Sequence, residues 1–150
     1  MLGLQNKYAL DVNLTLFTLR AGWIESTALL KDHFQILDSS IANWRDNIIQ
    51  PLRKLRQTAK AQTALFSDFS DNFLNMTSDI ELEAERICQA LLCQEYLNLN
   101  NLSKGSNQKN LATTNLDSYF SLLALPNSQN IGKTKGKLVN LTEEVLSLSP

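Results

Sequence analysis

A chain of 150 residues with a formal net charge of −1 and 43% hydrophobic residues is long enough to bury a core without disulfides or metals as staples. The near-neutral balance argues against a disordered chain and against a protein that coats nucleic acid with its whole surface. Asp, Asn, Thr, Arg or Lys interrupts every apolar run before it reaches the length of a membrane span, and Met1 is followed by no basic and apolar leader, so the sequence reads as cytoplasmic.

The charge is segregated. From Asn47 to Ser67 the charges are Arg53, Lys54, Arg56 and Lys60; from Asp68 to Glu85 all are acidic; from Leu97 to Leu141 five lysines face Asp117 alone. Two basic regions therefore flank an acidic one.

The first element spans Leu10 to Leu19. Val12, Leu14, Leu16 and Leu19, interrupted by Asn13, Thr15 and Thr18, partly satisfy a strand alternation as well as a broad helical face. Adjacent Leu16 and Phe17 break the alternation, and Asp11 before the run with Gly22 after it favours a short, deeply buried helix. A second helix is expected from Thr27 to about Leu37, with Asp38 and Ser39 capping the next. That third helix, Ser40 to Ala61, carries Ile41, Trp44, Ile48, Leu52, Leu55 and Ala59 at intervals of three and four, a stripe that faces a core. Pro51 inside it removes a backbone donor and predicts a kink near Asn47 or a break into two helices. Arg53, Arg56 and Lys60 fall on a neighbouring outer face.

Ser78, Asp79, Ile80 and Glu81 form a capping-box pattern that opens a helix to about Leu97, with Ile80, Ala84, Ile87, Leu91 and Cys88 turned inward. Asn98 to Asn110 reads as a loop, Thr114 caps a short helix through Leu123, and Pro126 ends it. The remainder is polar and glycine-punctuated, with a weak amphipathic turn from Glu143 to Leu148. The expected architecture is a single all-α domain of five or six helices over 1–125, followed by a flexible polar tail over 126–150.

The run Asp11, Val12, Asn13 followed by leucines and Phe17, together with Trp44, then Pro51, Leu52, Arg53 and Arg56, resembles the small helical gammaproteobacterial family known as domain of unknown function 2390. Glu81 to Arg86 resembles a third family motif, and Asn115, Leu116 and Tyr119 a weaker fourth. The resemblance implies a helical fold with structural roles for Asp11, Asn13, Trp44, Pro51, Glu81 and Glu85, and it implies no activity. Family members carry a further helix before the Leu-Gln that Leu4 and Gln5 match. The expectation is that Met1 is an internal or misassigned start, or that a core helix has been lost, leaving an apolar groove open to self-association.

The candidate chemistries are weak. Asn127 to Thr134 mimics the end of a phosphate loop, but its first glycine is Asn127 and Gly136 interrupts the helix that should follow; a lysine-rich loop is the plainer reading. His33 has no partner histidine or Glu at ligand spacing, and an ordinary partly exposed histidine is the plainer reading. Cys88 and Cys93, five apart on a helix and so about 140° around it, suit neither a shared metal nor a mutual disulfide. Glu81 and Glu85 share a helix face that Asp11 could approach, enough for a hard cation or acid–base work, yet Arg53 and Arg56 supply ready structural partners. Four N-x-S/T tripeptides follow from an asparagine-rich composition. The sequence thus points to a non-enzymatic protein without cofactor or metal. It would contact a protein partner through Arg53, Lys54, Arg56 and Lys60 or through the groove, with weak RNA binding by the same basic face and the tail lysines as the alternative.

Overall fold

A computed structural model describes residues 10–62, 67–124 and 129–147. The fold is all-α. In chain order the elements are α1 (Val12–Trp23), a two-residue strand β1 (Thr27–Ala28), α2 (Lys31–Trp44), a π-helical turn (Arg45–Ile49), α3 (Gln50–Gln62), α4 (Ser67–Asn98), β2 (Ser103–Lys104), α5 (Gln108–Leu122) and α6 (Gln129–Ser147). These divide into two compact units, one of Met1–Leu37 with Asn98–Pro150, the other Asp38–Leu97. The expected start of the chain and the helix before Leu4 and Gln5 lie outside the described residues.

In the first unit α1 packs on α5, and α5 in turn on α6. The strand-or-helix ambiguity of α1 resolves as helix. Its buried threonines need no partner from elsewhere, because Thr15 Oγ1 donates to the Asp11 carbonyl and Thr18 Oγ1 to that of Leu14, each at 2.7 Å. Asp11 caps the helix, its carboxylate accepting from the Leu14 N–H at 3.1 Å. Leu14, Phe17, Phe34, Leu37, Leu116 and Tyr119 form the buried centre, with the Phe34 and Tyr119 rings 5.5 Å apart.

Residues 27–30, expected to open the second helix, instead form β1 and its exit, and the helix starts at Lys31. β1 pairs antiparallel with β2, Thr27 opposite Lys104 and Ala28 opposite Ser103, inside the segment expected to be loop. The pairing is secured from α5: Asn115 Oδ1 accepts from the Leu29 N–H at 2.7 Å and Nδ2 donates to the Thr27 carbonyl at 2.8 Å. Asn115 is fully buried. Buried backbone groups must be paired, and here one amide side chain serves two of them.

The boundary expected at Asp38 is absent, since α2 runs through it to Trp44. Pro51 acts where the sequence predicts a break, but by another device. The chain widens into the π turn, whose end is closed by the Gln50 N–H donating to the Arg45 carbonyl five residues back, and α3 follows directly. The extra residue in the turn shifts the inward face by about 100°. Ile49 is therefore buried in place of Ile48, which is exposed along with Leu55.

α4 begins well before the capping box at Ser78, which lies inside it. α5 likewise begins at Gln108 rather than Thr114, with the Asn107 side chain accepting from the Asn110 N–H as its cap. Within the segment read as a polar tail, α6 buries Ile131 and Val139. It is tied to α5 by the Lys109–Glu143 pair at 2.7 Å and by Lys135 with Asp117.

Candidate functional site

The chemistry-bearing residues of the second unit meet between α3 and α4. The π turn rotates Arg53 and Arg56 off the outer face where straight helical periodicity would leave them. Arg53 Nη2 donates to Glu85 Oε1 at 2.6 Å, and its Nε lies 3.5 Å from Glu81 Oε1. Arg56 holds Glu81 with both ends of its fork, Nε to Oε2 at 2.5 Å and Nη2 to Oε1 at 3.3 Å. The Glu81 side chain is 10% exposed and that of Arg53 17%, so the pairs stand partly out of water, where a two-pronged guanidinium–carboxylate contact is stronger than a surface ion pair. The hydrogen bond to Glu81, together with the charges of Glu81 and Glu85, outweighs desolvation and raises the Arg56 pKa above its ordinary value.

Trp44 adds a further tie, its Nε1 donating to the Ala84 carbonyl at 2.8 Å. Trp44, Arg53, Arg56, Glu81 and Glu85 thus bind the α2–α3 run to α4. Such an arrangement holds helices together; its carboxylates are already occupied by guanidinium donors. The Asp11 carboxylate caps α1, and Asn13 is buried within that helix. Of the four basic residues singled out in the sequence, Lys54 and Lys60 lie exposed while Arg53 and Arg56 are half-buried.

His33 is buried rather than partly exposed, and it serves as a helix-end connector. Nδ1 accepts from the Leu30 N–H at 3.1 Å, leaving Nε2 as the donor toward the Asn100 carbonyl at 3.1 Å. It plays the part that Glu or Gln takes in a capping box. Gly132, Lys133 and Thr134 stand within α6, and Phe120 within α5, so the glycine–lysine–threonine run has neither the strand nor the turn of a phosphate loop; Asn127 and Ser128 lie outside the described residues. Among the described residues no three His, Cys, Asp or Glu side chains gather as a metal-holding group.

Sequence reading missed the outer surface of α4. Ile80 and Ile87, expected inward, are exposed, as are Phe73 and Met76; among the described residues of α4, Thr77, Glu81, Ala84, Cys88, Leu92 and Tyr96 are buried. The Arg53 and Arg56 contacts explain the rotation, because they draw Glu81 inward and turn its predecessor out. The missed signal was the spacing Phe73, Met76, Ile80, Ile87, which steps by three, four and seven.

These features define an all-α protein whose second unit is clasped by guanidinium–carboxylate pairs. Residues 1–92 match the family described as Protein of unknown function (DUF2390), and the chain belongs to that family. The match takes in Trp44, Pro51, the two arginines and both of their glutamates, and stops short of Asn115, Leu116 and Tyr119. No curated protein and no solved structure matches the chain.

Proposed function

We propose that this chain is a non-enzymatic cytoplasmic accessory protein that works through a protein–protein contact made by the outer face of α4. One observation carries the reading: Phe73, Met76 and Ile80 follow one another on that face, 49%, 54% and 52% exposed, with Ile87 continuing the line. Single exposed apolar residues are ordinary, but a run of large ones on one helix face is the signature of a contact surface. On the basic face, by contrast, Arg53 and Arg56 are engaged by Glu81 and Glu85, which leaves a small footprint for RNA. The cytoplasmic assignment is supported by the absence, among the described residues, of any helix long and apolar enough to cross a membrane.

The test is a tagged pull-down from native extract, split into nuclease-treated and untreated halves, with wild type beside the Met76→Glu, Ile80→Glu variant. A protein captured in near-stoichiometric amount, resistant to nuclease and absent from the variant, is the expected result. Recovery that disappears with nuclease would replace this reading with RNA binding.

A further inference from the structure

The outer face of α4 has a narrower geometry than an apolar patch. Phe73, Met76, Ile80, Glu83, Ile87 and Ala90 occupy alternate three- and four-residue steps, the seam of a coiled coil, and all six are exposed. The seam is distinct from the buried line of Thr77, Glu81, Ala84 and Cys88 on the same helix. A helix with one face committed inside its own unit and a heptad seam on another is built to accept a second helix.

We propose that the occupant is α4 of a second copy of this chain, packed antiparallel about a two-fold axis near residues 81 and 82. The claim rests on reading this face as a contact surface, and charge and size argue for the particular occupant. In that arrangement Phe73 meets Ala90 of the other copy, Met76 meets Ile87, and Ile80 meets Glu83. Asp79 of each copy then lies within a turn of Arg86 of the other, and symmetry makes the contact twice. Both residues are exposed. Arg86 Nη1 already reaches Glu83 Oε2 at 3.2 Å, so each Arg86 stands between its own Glu83 and the second copy's Asp79. A parallel pair would instead set the two Glu83 carboxylates opposite each other in the seam, like charges facing across an apolar layer. The antiparallel pair gives each Glu83 an Ile80 to cover with its methylene stem while its carboxylate stays with Arg86.

The seam is large enough to hold the pair together weakly. Half-exposed large side chains along five turns, with the polar rim between them, bring the area buried by two copies to roughly 1,000 Å², the lower edge of specific interfaces. A reversible, concentration-dependent dimer is the consequence.

Sedimentation equilibrium of the full chain over a wide concentration range tests this, with Ile80→Glu, Asp79→Arg, and the double swap Asp79→Arg, Arg86→Asp. The wild type should reach twice the monomer mass, Ile80→Glu should raise the dimer dissociation constant at least about tenfold, Asp79→Arg should weaken the dimer, and the double swap should restore it. Far-UV circular dichroism of each variant confirms that the helices persist, as expected for substitutions at exposed positions. A chain monomeric at every concentration, or a dimer indifferent to Ile80→Glu, overturns the proposal. A dimer lost in Ile80→Glu but not rescued by the charge swap overturns the antiparallel pairing. A monomeric chain whose captured protein is still lost in the Met76→Glu, Ile80→Glu pull-down defeats the dimer and leaves the contact-surface reading standing.

Discussion

A methyl group on Gly22 would stand 2.4 Å from the Ala112 backbone nitrogen and 2.5 Å from its Cα. Gly22 is the point where α1 and α5 touch backbone to backbone, and a peptide backbone cannot swing aside as a flexible side chain can. Elsewhere in a helix, exchanging glycine for alanine gains about 1 kcal/mol. Here overpacking costs about 1–3 kcal/mol or more and reverses the sign. Gly22→Ala should therefore lower the urea midpoint, whereas Gly132→Ala in α6, with nothing within 4 Å of the added carbon, should raise it. Equal signs for the two substitutions would show that the α1–α5 contact is looser than described.

Asn115→Ala should be among the most damaging single changes. It removes the acceptor for the Leu29 N–H and the donor to the Thr27 carbonyl together, in a site closed to water. Leaving the buried Leu29 N–H unpaired costs about 1–3 kcal/mol, and the lost hydrogen bond to the Thr27 carbonyl adds about 1 kcal/mol, so a loss of roughly 3 kcal/mol by chemical denaturation is expected. Hydrogen exchange at the Leu29 amide should accelerate more than at Leu14, whose N–H is held by Asp11.

Arg56 and Glu81 should couple. A double-mutant cycle with Arg56→Met and Glu81→Gln should return about 1 kcal/mol, limited because the Arg56 side chain is 31% exposed and solvent screens the pair. The same cycle on Arg56 and Glu85, which act on each other only through charge, should return less. The Arg56 pKa is raised in the folded state. Its share of stability is thus fully present below its unfolded-state pKa and lost only as pH climbs through the higher folded value. The coupling should not change between pH 6 and 9 on the arginine side. A coupling indistinguishable from zero at low salt would remove the clasp from the energetics.

The helical class, the capping role open to Asp11, the disturbance at Pro51 and the pairing of arginines with glutamates were all legible in the sequence, because each follows from local chemistry. Which face pointed inward was not. The π turn inserts one residue into the periodicity, so Ile49 replaces Ile48 in the core and the arginines turn toward α4; no propensity announces that shift. β1 and β2 were invisible for a different reason. A two-residue pairing has no periodicity, and it depends on Asn115, more than eighty residues away from Thr27 in the chain. His33 was misjudged on exposure because its partner, the Asn100 carbonyl, is backbone and carries no sequence signal.

Ala124 sits just past the end of α5 with φ at 51°, in the left-handed region, while its N–H donates to the Ser121 carbonyl at 3.2 Å and the Leu123 N–H to that of Tyr119 at 3.3 Å. That is the position where helices commonly place glycine, whose missing Cβ removes the clash with the carbonyl oxygen. Ala124 is exposed, so its methyl group contributes little packing. Ala124→Gly should raise stability by about 0.5–1 kcal/mol, the relief of strain exceeding the added freedom of the unfolded chain. Ala124→Val should lower it, because a β-branched residue tolerates this backbone least. Thermal unfolding of the three proteins side by side should order their midpoints Gly above Ala above Val; the reverse order would mean that α5 ends in another backbone conformation.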